Sequence, residues 1–333
     1  MTGPLVASAE AVASPARRRM ISAMAALACL GWMPGCVARE PLRISSHVWP
    51  GYEFMFLARS MGWLRPTDVQ LVEVPAASDS MHAINARLVD GAALTLDEVL
   101  RVRAGGVPLT VVAVFDVSAG ADVLLARPGI ADLAGLAGKS IAVERSALGA
   151  LMLSSVLKSA GVEPGSIKVV HATIDQHEQV WQRGEVDAVI SYPPVSERLE
   201  KLGAVRLFDS RSMPDRILDV LAVRSEVLQE KSEQLRHLVD RHFHALEHFR
   251  TNPRDAVYRL SPRLGIPAGE VMMAYQGLSL PDARENRRLL AGRSPVIRQT
   301  AGALAEMMFE ERLLPARDSL SQLIAPDFVM EMS

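Results

Sequence analysis

Apolar and polar positions change period many times along this chain. Leu42 and Ile44 alternate with Arg43 and Ser45, the two-residue period of a strand. The pattern breaks at Trp49-Pro50-Gly51, where Pro lacks an N–H and Gly permits turn geometries. Phe54, Leu57, Ala58 and Met61 then recur at helical spacing. The same strand–loop–helix alternation continues. Strands are expected over 69–74, 92–95, 109–115, 122–126, 140–143, 167–171, 187–191, 205–208 and 219–223. Helices are expected over 80–88, 96–104, 147–160, 176–183 and 195–202, with Ser78-Asp79-Ser80 as an N-cap and Gly105-Gly106 and Gly161 as stops. Beyond Ser225 the pattern is helical, interrupted at Asn252-Pro253, Ser261-Pro262, Pro281 and Pro315.

Two βα series followed by helices predict an α/β protein of two lobes. The first lobe takes residues 42–118 and regains the chain at 219–333, with the second lobe at 119–218. Two crossovers of this kind form a hinge. Strand, tight loop and helix at 42–59 place backbone N–H groups, Trp49 and Tyr52 at the carboxyl end of a strand, where open α/β sheets bind small ligands.

With 333 residues, 49% apolar and 22% charged, the chain has material for one large or two ordinary cores. Its net charge of -2 gives no overall field for nucleic acid. The first 36 residues read as an export signal. Arg17, Arg18 and Arg19 precede the apolar run 20–32, and Met33-Pro34-Gly35-Cys36 follows it. Gly35-Cys36 matches the end of a bacterial lipobox, whereas Met33 and Pro34 depart from its usual residues. The expectation is a lipoprotein of the bacterial periplasm, anchored to a membrane through acylated Cys36. Cys29 lies inside the apolar run, so nothing beyond position 36 supplies a disulfide, a thiol nucleophile or a cysteine metal ligand.

The segments WPGYEFMFLAR, ASDSMHAINARLVDGAAL, VERSALGALML and GEVDAVISYPP stand in this order between Trp49 and Pro194. With them, the chain from about Leu42 to Phe328 resembles periplasmic substrate-binding proteins of ABC importers. Within these it resembles the nitrate/sulfonate/taurine and thiamine-pyrimidine-precursor group. The resemblance implies the two-lobed periplasmic-binding-protein fold, the type II Venus flytrap. It implies a monomer that closes on a small polar solute, sulfonate- or nitrate-like or pyrimidine-like, and presents it to a membrane permease. It implies neither catalysis nor a cofactor.

The residues agree with that role. The turns opening helices at Ser78, Ser80, Ser146 and Gly149 offer unpaired N–H groups. Trp49, Tyr52 and Tyr192 can stack on a ligand or wall it off. His47, Thr95, Asp97 and Ser118 sit at strand ends or at a crossover, and Asp97 favours a donor or a positive group. For each, the structural alternative is an ordinary cap or a core-capping ring.

Two further readings stay open beside the importer subunit. One is a periplasmic sensor for a membrane signalling partner. The other is an enzyme on the same scaffold, against which stands the lack of Cys beyond position 36. His244-Ala-Leu-Glu-His248 matches a zinc-protease pattern, but His237, Arg241, His244 and His248 step along one helix face as a solvated row. His242, on the apolar side, is expected to be a hydrogen-bonded core residue. Gly135 to Ser140 imitates a phosphate loop but runs into a strand, so no N–H cradle forms. No metal site is expected.

Overall fold

A computed structural model describes Gly3 and residues 40–329. The expected export signal and Cys36 lie outside the described residues. Residues from Glu40 onward make one compact unit built on two sheets. Among the described residues no helix is long and apolar enough to cross a membrane.

The first sheet is six-stranded. Its strands are β1 (Leu42–Ser46), β2 (Val69–Glu73), β3 (Gly91–Thr95), β4 (Leu109–Ser118), β10 (Leu218–Arg224) and β11 (Leu278–Ser279), in the order β11-β4-β10-β3-β1-β2. The second sheet is five-stranded, with β5 (Val123–Ala126), β6 (Ser140–Val143), β7 (Lys168–His171), β8 (Ala188–Ser191) and β9 (Val205–Asp209), in the order β7-β6-β8-β5-β9. Strands β1, β2 and β3 run parallel, as do β6, β7 and β8. β10 runs antiparallel to both β3 and β4, and β5 antiparallel to β8 and β9. The molecule is therefore two-lobed α/β, as the alternating pattern implies.

Local sequence accounts for the elements. LTVVAVFDVS (β4) and LDVLAVR (β10) are β-branched runs buried along nearly their whole length, the signature of central strands covered on both faces. Helix α1 (Glu53–Ser60) turns six consecutive residues, Glu53 to Ala58, inward. Helices α2 (Ala77–Asn85) and α3 (Leu96–Ala104) follow β2 and β3. Helix α4 (Ala147–Ala160) ends at Gly161, whose φ of 63° is the left-handed cap that glycine adopts without strain. The long helix α5 (Ser232–Thr251) buries Leu235, Leu238, Val239, Phe243, Leu246 and Phe249 on one stripe.

Four details differ from the sequence reading. Ser78 and Ser80 lie inside α2, whose N-cap is Ala76; no side chain caps it. The C-terminal part contains the short strand β11, which pairs with β4 and has too few residues for any alternation to show. Pro262 does not interrupt its helix, α6 (Pro253–Leu264): it sits in the last turn, where its missing N–H gives up a single bond, the one to the Tyr258 carbonyl. His242 is buried with both ring nitrogens unpartnered, packed among Phe54, Phe115 and Phe243. Burial holds its pKa down at about 3, so it is a neutral ring used as an apolar one.

The row of histidines on α5 also has packing partners. His244 lies edge-on to Trp63 at 4.3 Å, and His248 bonds Asp255 at 2.8 Å. The look-alike phosphate loop is a 3-10 turn capped by Asp132, and Ser140 gives its hydroxyl to Asp187 at 2.7 Å.

The outer side of β4 is closed by three separate segments. Leu278 and Ser279 pair with Ser118 and Val117. Asn286 acts as a one-residue strand, accepting the Val114 N–H at 2.7 Å and donating to the Val114 carbonyl at 2.9 Å. Val111 donates to the Leu323 carbonyl at 2.7 Å and accepts from the Ala325 N–H at 2.9 Å.

Candidate functional site

The strand directions bring a set of loops to one place. His47 and Trp49 follow β1, Glu98 stands three residues after β3, and Asp116 is near the end of β4. Asp219 begins β10, which is antiparallel, so it reaches the same edge and lies in register with Thr95 and Asp116. From the second sheet come Asp122 before β5, Glu144 and Ser146 after β6, and Tyr192 after β8. The carboxyl ends of parallel strands from both sheets thus face one cleft. The cavity it encloses is only about 20 Å³, so the cleft is nearly shut.

One wall is aromatic. Trp49 and Tyr192 meet edge-on at 5.3 Å, and His47 lies 5.3 Å from Tyr52 and 5.9 Å from Tyr192. The Trp49–Pro50–Gly51–Tyr52 turn is held by its side chains. The Trp49 indole N–H donates to Asp116 Oδ2 at 2.9 Å, and the Tyr52 hydroxyl donates to Asp219. Gly51 is required where Asp116 crosses it: a Cβ there would sit 1.6 Å from Asp116 Oδ2. Gly51→Ala is therefore expected to expel Asp116 from the indole and to lower stability by about 1–3 kcal/mol, read by denaturant unfolding. An unchanged midpoint would show that the loop is not held by this contact.

The other wall is acidic. Glu98, Asp122, Glu144 and Asp219 line it, and among the described residues no Lys or Arg does. Burial pushes each carboxyl upward: Asp122 to about 6, Asp116 behind Trp49 to about 7, and Glu98 and Asp219 well above the carboxylate range. The charge of Asp116 across the strand pair adds to the shift at Asp219. Burial also lowers His47 to about 3, with Arg263 contributing, so its ring is neutral.

The two lobes touch beside the cleft. The Ser78 N–H, one of the unpaired donors in the first turn of α2, donates to Glu144 Oε1 at 3.0 Å. The carboxylate of the second lobe thereby supplies what the missing N-cap side chain does not.

Of the residues singled out from sequence, the structure brings His47, Trp49, Tyr52, Thr95, Ser146 and Tyr192 to the cleft wall. Ser146 is also the N-cap of α4, accepting the Gly149 N–H at 3.0 Å. Gly149 lines an adjoining chamber, and a Cβ on it would lie 2.3 Å from the Glu144 carbonyl oxygen. Ser78, Ser80, Asp97 and Ser118 are off the wall. Ser118 works in the crossover instead, pairing its hydroxyl with Ser210 at 2.7 Å. Glu98, Asp122, Glu144 and Asp219 were not singled out. The available signal was position alone, since each is an acid within three residues of a strand end at the cleft edge. Among the described residues no three His, Cys, Asp or Glu converge to hold a metal ion.

The comparisons with known proteins fall in line with this geometry. The taurine-binding periplasmic protein of Escherichia coli K12 is 25% identical over 233 residues, covering 67% of this chain and 72% of that protein. The alkanesulfonate-binding protein SsuA of Xanthomonas axonopodis pv. citri, solved with MOPS, superposes with a TM-score of 0.72 at 18% identity, over 86% of this chain and 98% of that one. The aliphatic sulphonate-binding protein SsuA of Escherichia coli gives 0.69 at 21% identity, over 86% and 92%. These two structures share the fold. The model of the NMT1/THI5-like family matches residues 49–256, from the aromatic turn through both sheets into the C-terminal helices, and by that match the chain belongs to the NMT1/THI5-like family.

Proposed function

We propose that the protein is an extracytoplasmic solute-binding receptor, which closes its two lobes on a small polar molecule and presents it to an ABC-type permease. The observation that carries this reading is the cleft itself, walled by strand-end loops of both sheets and shut by the Ser78–Glu144 contact between them. Closure of this kind needs a ligand that favours the closed state by several kcal/mol. The relatives named above are binding proteins, and we read this chain as a non-catalytic member. The wall residues identified from sequence serve as ligand contacts, with the acids beside them. Residues 42–118 and 219–333 form one moving body and 119–218 the other. Cys36 is the anchor point of a monomer held at a membrane facing the periplasm.

The test is native mass spectrometry of freshly purified protein, followed by unfolding, dialysis, refolding and small-angle scattering. Loaded protein is expected to carry a small molecule and to show a smaller radius of gyration than the stripped form. Identical scattering profiles for loaded and stripped protein would refute lobe closure.

A further inference from the structure

We propose that this cleft takes a small organic cation bearing N–H donors, an ammonium or amidinium group, rather than an anion such as a sulfonate. The inference rests on the reading of the cleft as the solute site.

The first ground is unpartnered acceptors. Glu98 Oε1 and Asp122 Oδ2 are each buried without a hydrogen-bond partner, on side chains that line the cleft. Buried acceptors without donors are costly, and such sites are ones where a group is missing. A sulfonate brings only further acceptors to them. An ammonium brings three donors, and an amidinium or guanidinium a planar set of them.

The second ground is charge. Four carboxyl groups line the cleft and no Lys or Arg shares the wall among the described residues. Arg263, the guanidinium that acts on His47, is already paired with Glu53 and Glu73. An entering anion would thus find four carboxyl groups and no free cation, whereas an entering cation supplies the opposite charge that ionises Glu98 and Asp219. The third ground is the aromatic wall of Trp49, Tyr52 and Tyr192, whose ring faces attract cations. A bare metal ion does not fit, because no three ligating side chains converge among the described residues. The occupant is therefore organic.

Titration calorimetry on stripped protein tests the assignment, with propylammonium, acetamidinium and guanidinium chlorides set against sodium propane-1-sulfonate, and with taurine as the compound bearing both charges. At least one cation is expected to bind and the sulfonate not to. Asp219→Asn and Glu98→Gln, near-isosteric changes checked by circular dichroism, are each expected to weaken cation binding by about tenfold or more. Taurine binding that survives Glu98→Gln and Asp219→Asn unchanged counts against the proposal. Sulfonate binding without cation binding, with the lobes still closing by scattering, overturns it while leaving the receptor reading intact. A co-purified neutral or anionic solute, with no binding of any cation in the series, overturns it as well.

Discussion

Lowering the pH of the ligand-free protein from about 7.5 to about 5.5 is expected to raise its melting temperature by several degrees. Glu98 and Asp219 are held well above the carboxylate range by burial, Asp97 and Asp116 at about 7, Asp122 at about 6, and Glu53 at about 8 despite Arg263 beside it. A carboxyl raised in the folded state stabilises most below its unfolded value, and that contribution fades as pH climbs through the folded one. Each such group is worth about 1.4 kcal/mol per pH unit between those limits. Three buried neutral histidines oppose the trend: His47, His177 and His242 are held at about 3, about 4 and about 3. Their contribution is complete above the unfolded value of about 6.5 and falls by about 1.4 kcal/mol each in the last unit of the window. The part-buried His237, lowered by its burial and by Arg65 and Arg241, adds to the same side. The acids are more numerous, and Glu53, Glu98 and Asp219 act over both units, with Asp97 and Asp116 joining below about 7 and Asp122 below about 6, so they decide the sign. The ion-paired Glu73 and Asp318, and Asp187 with its hydrogen bonds from Ser140, are held low and titrate below the window. Melting scans at fixed ionic strength decide the matter. A midpoint that is flat or falls on acidification would mean that the cleft acids are not desolvated as the structure shows.

The second large effect is expected at Arg103. Its guanidinium is almost wholly buried and grips Asp318 with two bonds, Nε to Oδ2 at 2.5 Å and Nη2 to Oδ1 at 3.0 Å. It also donates to the carbonyls of Leu109 at 2.5 Å and Ser321 at 2.9 Å. One side chain thus joins α3, the start of β4 and the segment after the last helix. Arg103→Ala leaves Asp318 buried without its partner and is expected to cost about 3–5 kcal/mol in urea unfolding. The pair Arg103→Leu with Asp318→Leu removes both charges and is expected to cost less than the single change. A single variant within about 0.5 kcal/mol of wild type would show the pair to be incidental.

The fold was legible in the sequence wherever a run was long. LTVVAVFDVS and LDVLAVR read as strands because burial on both faces demands continuous β-branched residues. β11 was not legible because two residues carry no period. The cap of α2 was misread because its first-turn donor is served by Glu144, distant in sequence but near across the cleft. The site divides in the same way. The aromatic turn announced itself, with Trp49 and Tyr52 around Pro-Gly directly after a strand. The acids at 98, 122, 144 and 219 did not, because each looks like an ordinary surface carboxylate until sheet order gathers them. His242 was misjudged for a related reason: periodicity shows that a position faces inward, not whether a partner waits there.

The three-part closure of β4 has a consequence for crowded solution. An open sheet margin invites a neighbouring molecule to add its own strand, the usual first step toward aggregation. Here Ala119, Val114 and Val111 already spend their outward backbone groups on Gly277, Asn286 and the Leu323–Ala325 stretch. A second copy arriving edge-on meets no vacant template along this margin, however high the local concentration.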